Sequence, residues 1–167
     1  MRTRKMLDSV GVALAVFSCL LSVGCGGSGS VEGETSSAIS RNRRLWESRD
    51  IPSYRYTLRV NAFVAEDARG PVVIEVRDGV PISVRFLSGE RAVSPERFES
   101  CDTMDELFDK LESAAENNAV RQEQTFDSDF GYPVSAYIDY ELRVVDEEYG
   151  FTVSDFSPIP SVQPTIL

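Results

Sequence analysis

Apolar and polar residues alternate along residues 54–60, where every second side chain is apolar. This pattern predicts a strand that buries one face and exposes the other. The residues expected to face the core are Tyr54, Tyr56, Leu58 and Val60.

The segment before this strand has helical spacing. Ser36 or Ser37 can cap a helix that continues to about Arg49, and Pro52 prevents it from going further. Trp46 falls on the apolar face of this helix. A single Trp at such a position is more often a core anchor against a sheet than a ligand platform, and we expect the anchor.

A second amphipathic helix is predicted after residue 102. Thr103 and Glu106 have the spacing of a capping box, in which each side chain bonds to the other residue's backbone N–H. The helix is expected to end near Asn117 and Asn118 and to cross the sheet. Its apolar stripe consists of Met104, Leu107, Phe108, Leu111, Ala114 and Ala115.

Residues 71–86 read as a β-hairpin, for which two registers are open. A two-residue turn at Asp78-Gly79 would put apolar residues on both faces. A three-residue loop over 77–79 makes one face uniformly apolar, with Gly79 in the left-handed position of a bulged turn. We predict the second register, which pairs Val76 with Val80, Ile74 with Ile82 and Val72 with Val84.

The C-terminal half predicts three more strands. They cover Val120–Phe126, Val134–Val145 and Phe151–Phe156, with a turn at 127–133 and an acidic corner at 146–148. The whole pattern predicts a single α+β domain with a mainly antiparallel sheet of about six strands. The N-terminal helix and the crossing helix would pack on one face of this sheet.

The first residues of the chain predict a targeting segment. Positive residues precede an apolar run over 10–23, and Gly24-Cys25 is followed by a Gly/Ser stretch. This arrangement resembles a bacterial lipoprotein signal, although Ser22 stands where Leu is usual. Cys19 is a poorer match, and an ordinary secretory peptide or a single anchor helix are the alternatives.

The resemblance implies export and a lipid anchor on Cys25. The expected divisions are a signal peptide at 1–24, a flexible tether at 25–35, the domain at 36–157 and a Pro-rich tail at 158–167. The expected location is the cell envelope, in the outer membrane if the cell has one, because Gly26 is not a retention aspartate.

Composition excludes several kinds of chemistry. The chain has no His, which removes Ser-His and Cys-His nucleophile pairs, and 3 Cys, too few for a four-cysteine zinc site. Cys101 is expected as a small buried hydrophobe rather than a reactive thiol. The net charge of −10 argues against nucleic acid as a partner.

An ordered set of motifs resembles a family of uncharacterised bacterial lipoproteins, the domain of unknown function number six thousand one hundred and seventy-four. The resemblance covers about residues 43–157 and implies an envelope location and a small α+β domain, without an activity. The chain departs from the family pattern at residues 61–64, where many members carry Cys-Phe-Cys. The matching motifs are Trp46, Tyr54-x-Tyr56-x-Leu58, Gly70–Gly79, Asp105–Asp109, Phe126-Asp127, Gly131-Tyr132-Pro133, Ile138-Asp139 and Asp146-Glu147-Glu148.

Carboxylates near the predicted turn and corner are candidates for a cation site or a partner surface. They are Asp127, Asp129, Asp139, Asp146, Glu147 and Glu148, and Tyr137 is added as a partner contact. Such oxygens suit calcium, the one cofactor that the sequence suggests. An EF-hand is excluded, because Gly131 comes one residue early and Ile138 stands where that loop needs Glu. Solvated turns are the alternative.

We expect a non-enzymatic binding module that contacts an envelope protein or peptide. Tyr137 and Asp139 would lie on the open face of the sheet, where an aromatic ring beside carboxylates suits a basic or peptide-like partner. Plain cross-strand packing is the alternative for Tyr137. A calcium-dependent or small-ligand-sensing module is the second hypothesis. A hydrolase with paired carboxylates is the third, since no spacing selects a catalytic pair.

Overall fold

The computed structural model describes residues 31–62, 69–89, 93, 95–141 and 148–160. The predicted signal segment, Cys25 and the end of the predicted tail lie outside these ranges. Neighbouring strands are all antiparallel, in the order β3-β2-β1-β6-β5-β4. The elements are α1 (Val31–Ser48), β1 (Tyr54–Ala62), β2 (Val72–Arg77), β3 (Val80–Phe86), α2 (Met104–Glu116), β4 (Arg121–Phe126), β5 (Pro133–Asp139) and β6 (Glu148–Pro158).

This architecture confirms the prediction of one α+β domain with a six-stranded sheet and both helices on one face. Two three-stranded meanders, β1-β2-β3 and β4-β5-β6, are joined through α2, and β1 pairs with β6 at the centre. The core lies between the helices and the covered face of the sheet. Within the described ranges, neither helix has both the length and the apolar character that crossing a membrane requires.

Strand β1 provides the floor of the core, as its alternation predicts. Its four predicted core residues are all buried, and two of them also attach α2. The backbone N–H of Met104 donates to Tyr54 Oη at 3.0 Å, and Tyr56 Oη donates to the carbonyl of Cys101 at 3.2 Å. The start of α2 is thereby held over the centre of the sheet.

The predicted capping box of α2 is confirmed. Thr103 Oγ1 accepts from the N–H of Glu106 at 3.2 Å, and Glu106 Oε2 accepts in return from the N–H of Thr103 at 3.2 Å. Glu106 Oε2 also accepts from the N–H of Asp102 at 2.8 Å. The predicted apolar stripe is buried from Met104 to Ala114, and Asn117 caps the C-terminus.

The predicted start of α1 was wrong. The helix begins at Val31, not at Ser36 or Ser37, and it includes residues that the sequence assigned to the tether. Glu34 stands in its first turn, where negative charge favours the helix dipole. The prediction for Trp46 is confirmed, since its ring is buried and lies edge-on to Tyr54 with a centroid distance of 5.3 Å.

The predicted hairpin register was also wrong. Asp78 and Gly79 form a two-residue turn with positive φ values of 48° and 76°, as a type I′ turn requires, and Val76 pairs with Pro81. A bulge then leaves Ile82 unpaired and 58% exposed. Beyond the bulge Ile74 pairs with Val84, so one face becomes apolar by a one-residue shift rather than by a longer loop.

The last two strands differ in length from the prediction. Strand β5 ends at Asp139, because the Asp139 side chain turns the backbone by accepting from the N–H of Glu141 at 3.0 Å. Residues 142–145 of the predicted strand lie outside the described ranges. Strand β6 runs to Pro158, and Ile159 N–H donates to the Ser53 carbonyl at 2.8 Å, which fixes the start of the predicted tail.

Candidate functional site

The predicted acidic surface is divided between the two ends of β5. Asp127 and Asp129 lie in the turn before this strand, whereas Asp139 ends it and Glu148 pairs with Asp139 from β6. The strand separates the two groups by about 20 Å at roughly 3.3 Å per residue. Asp146 and Glu147 lie outside the described residues. The described carboxylates therefore do not form one cluster.

Asp127 serves as a turn residue. Its Oδ1 accepts from the N–H of Phe130 at 2.7 Å and from that of Asp129 at 3.0 Å. This is the local bonding by which Asp favours turns. No group of three or more His, Cys, Asp or Glu within the described ranges is arranged to hold a metal ion.

Tyr137 lies on the open face of the sheet, as the alternation along β5 predicts. It is half-buried, between the buried Ala136 and Ile138 that point to the core. The Arg121 guanidinium lies 5.2 Å from its ring centroid and is also held by Glu123 at 2.7 Å. This cross-strand contact supports the packing role that was the alternative for Tyr137, and the rest of its ring borders a groove.

The groove crosses β1, β6, β5 and β4 on the open face. It consists of two depressions of about 520 Å³ and 350 Å³, which share Tyr137 and Asn61 as lining residues. On β6, Gly150 pairs with Asn61 of β1 on one side and with Tyr137 of β5 on the other. A Cβ at Gly150 would come within 2.8 Å of the Ala136 carbonyl oxygen. A larger residue therefore does not fit here, and the floor of the groove carries no side chain at this position. We call this feature the open-face groove.

Charges of both signs border the open-face groove. Arg59 and Glu148 line the larger depression, and Glu123 lines the smaller one beside hydroxyls of Thr125, Ser135 and Thr152. Arg59 and Glu148 have no ion pair with each other or with another described residue. The groove can therefore offer the Arg59 guanidinium and the Glu148 carboxylate to a bound chain.

A second cavity, of about 530 Å³, lies on the helix side of the sheet, between α2 and the ends of β5 and β6. We call it the helix-side pocket. Its lining includes Glu106, Asp109, Lys110, Ile138, Tyr140 and Tyr149. The sequence pattern did not predict this pocket. The available signal was the position of Lys110, one of only two lysines in the chain, with Lys5 the other.

Two polar groups near this pocket have raised pKa values. Burial raises the pKa of the Cys101 thiol to about 11, so the thiol stays protonated and is a poor nucleophile at neutral pH. This confirms the expected burial of Cys101. Burial, together with a hydrogen bond to Glu106 and the charge of that residue, raises the pKa of Asp102 to about 7. Asp102 is 6% exposed.

Comparison with known proteins gives a family but no activity. Residues 38–158 match the model of a family of unknown function, DUF6174, and the chain belongs to this family. No curated protein and no solved structure matches the chain.

Proposed function

We propose that this member of the DUF6174 family is a non-enzymatic envelope lipoprotein that binds an extended segment of another envelope protein. The observation that carries the proposal is the open-face groove, which crosses four strands and has Tyr137 in both of its depressions. An elongated groove with an aromatic ring and backbone-lined floor suits an extended polypeptide better than a compact ligand.

Charge supports the choice of partner. Arg59 at one end and Glu123 and Glu148 around Tyr137 favour a segment that carries both a carboxylate and a basic side chain. The hydroxyls of Ser135 and Thr152 add donors and acceptors along the groove. Tyr and Arg are also the residues that most often dominate binding energy at protein interfaces.

Site-specific photo-crosslinking in intact cells tests the proposal. A benzophenone amino acid at Thr152 probes the groove, and the same residue at Glu116, exposed on α2, is the matched control. We expect one reproducible protein partner from position 152 and not from position 116. Arg59→Glu should reduce this crosslink at least fivefold while leaving the thermal unfolding midpoint within a few degrees.

Tyr137→Ala separates binding from packing. A folded variant that loses the crosslink supports the binding role, whereas loss of folding supports packing alone. The same partner from both probe positions, or no partner in cells where the folded protein is abundant, would contradict the proposal. An Arg59→Glu variant that crosslinks as well as the parent would do the same.

The envelope location rests on the N-terminal segment, with acylation at Cys25. The supporting features are the basic start, the apolar run and the small residues around this cysteine. Cells fed an alkyne analogue of palmitate should incorporate it into the protein, and Cys25→Ser should abolish both the label and membrane association. Cys19→Ser is the matched control and should keep both. Label retained in the Cys25→Ser variant would contradict this site.

A further inference from the structure

The helix-side pocket has the size and composition of a small-molecule site. Its volume of about 530 Å³ lies within the usual range for such sites, about 300–1,000 Å³. It opens on the face of the sheet opposite to the open-face groove, so its role is independent of the proposed partner binding.

The acidic groups in the pocket are already engaged. Glu106 Oε2 accepts from two backbone N–H groups at the start of α2, at 2.8 and 3.2 Å. Asp109 Oδ1 accepts from the Arg43 guanidinium at 2.7 Å. Neither carboxylate forms an ion pair with Lys110, although Glu106 stands one helical turn before it.

Among the described residues that line the pocket, Lys110 is the charged side chain without a counter-ion. Its Nζ lies 4.9 Å from the centroid of the Tyr149 ring, and it forms no ion pair with a described carboxylate. The aromatic face attracts this ammonium but leaves its hydrogen-bond donors available. Lys110 thus presents an unpaired ammonium to the pocket.

Lysine is also an unusual choice in this chain. Of 17 Lys and Arg residues only Lys5 and Lys110 are lysines, and Lys5 lies in the predicted signal segment. Lysine offers a compact point charge with three donors, whereas the planar Arg fork matches paired, bidentate contacts. The ion pairs between described residues are all made by arginines.

The rest of the pocket is apolar and aromatic. Ile138 is 1% exposed at its floor, and the rings of Tyr140 and Tyr149 line its sides. Tyr140 is 39% exposed at the edge of the pocket. Exposed apolar side chains at a pocket mouth mark a surface that can bind an apolar group.

We propose that the helix-side pocket binds a small organic carboxylate with an aromatic or branched apolar body. The carboxylate pairs with the Lys110 ammonium, and the apolar body packs on Ile138 and the two tyrosine rings. A charge-assisted hydrogen bond gives orientation, and the apolar contact gives affinity.

The scarcity of lysine provides a direct reporter. The full chain with Lys5→Arg, purified in detergent micelles, is reductively methylated with ¹³C-formaldehyde, so that Lys110 carries the only labelled ε-amine. We expect 3-phenylpropionate to shift the ¹³C signal of dimethyl-Lys110 saturably. The neutral 3-phenyl-1-propanol should bind at least tenfold more weakly, and acetate, which lacks the apolar body, should also do so.

Calorimetry on the unlabelled full chain measures the part played by the cation. Lys110→Gln should weaken 3-phenylpropionate binding about tenfold or more, while Lys110→Arg should retain most of it. Arg44→Gln removes an exposed cation from α1 and should leave binding unchanged. Equal affinity of the parent and Lys110→Gln for 3-phenylpropionate would overturn the proposal. So would equal affinity for the acid and the alcohol, or the absence of a saturable shift.

Discussion

The same strands form both faces of the sheet, but the side chains on the two faces are packed differently. On the covered face Phe151 and Val153 of β6 are buried against the helices, with Leu58 and Val60 beside them on β1. On the open face the neighbouring positions of β6 are Gly150, Thr152 and Ser154, which carry no large side chain. The covered face is filled, and the open face keeps a groove.

The difference separates the residues that stabilise the fold from those that would contact the proposed partner. Apolar burial contributes roughly 25 cal/mol for each Å² removed from water, so the covered face supplies most of the free energy of folding. Polar side chains in the groove are mostly solvated and contribute little to it. Substitutions in the groove can therefore change recognition while the fold is retained.

The largest expected contrast is between two adjacent residues of β6. Phe151→Ala removes a completely buried ring and should lower the free energy of unfolding by about 3–5 kcal/mol. Thr152→Ala changes an exposed open-face residue and should stay within about 0.5 kcal/mol of the parent. Urea denaturation measures both. Similar losses in the two variants would break the comparison of the faces.

The titratable carboxyl group of Asp102, on the covered side of the sheet, makes the stability of the fold depend on pH. The native pKa of Asp102 is raised to about 7, so the folded protein keeps a proton that the unfolded chain releases near pH 4. The contribution of Asp102 to stability is therefore greatest below pH 4, and it is lost as the pH rises to about 7.

Asp102→Asn removes this ionisation and keeps a hydrogen-bond donor toward Glu106. We expect the variant to gain about 1–2 kcal/mol over the parent at pH 8 and little at pH 4, with the size limited by partial solvent access. Denaturation curves at both pH values give the difference. A gain that is the same at pH 4 and pH 8 would argue against titration of Asp102.

Two Thr→Ala substitutions compare how much a side-chain hydroxyl contributes to stability on the covered side and on the open face of the sheet. Thr103→Ala removes the N-cap of α2 and should cost about 0.5–2 kcal/mol. Thr125→Ala removes an exposed hydroxyl that bonds Ser135 on the open face at 2.7 Å, and it should cost no more than about 0.5 kcal/mol. A larger cost at Thr125, measured by thermal unfolding, would assign the open face a structural role.

The smallest effect is expected at Tyr149. Its Oη is buried with no well-formed hydrogen bond to the described residues, and its polar neighbour is the Cys101 sulfur. Tyr149→Phe should therefore leave stability within about 0.5 kcal/mol or raise it slightly. Tyr54→Phe is the control and should cost about 1 kcal/mol, because Tyr54 Oη accepts from Met104 N–H. Equal costs would indicate a bonded Tyr149 hydroxyl.

The fold class and the core of β1 and α2 were predictable, because each depends on a local period. Tyr56 and Phe108 lie on the apolar faces of their strand and helix, and both are buried in the structure. The period of each element is enough to place them on that face. The hairpin register was not predictable in this way. A one-residue bulge at Ile82 exchanges the two faces, and no composition rule places it.

The candidate sites were less predictable than the fold. Tyr137 was placed correctly on the open face, but the acidic residues near it in sequence lie at opposite ends of β5. The helix-side pocket joins α2 to Ile138 and Tyr149, which meet only through pairing of β5 with β6. Such sites depend on tertiary register, which a sequence pattern leaves open.

The pairing of β1 with β6 has a consequence for biogenesis. These strands are far apart in the chain, yet they lie side by side at the centre of the sheet. A nascent chain that lacks β6 cannot bury Leu58 and Val60 against their partners. The domain therefore folds only after its last described strand has emerged, and contacts of such long sequence separation form slowly.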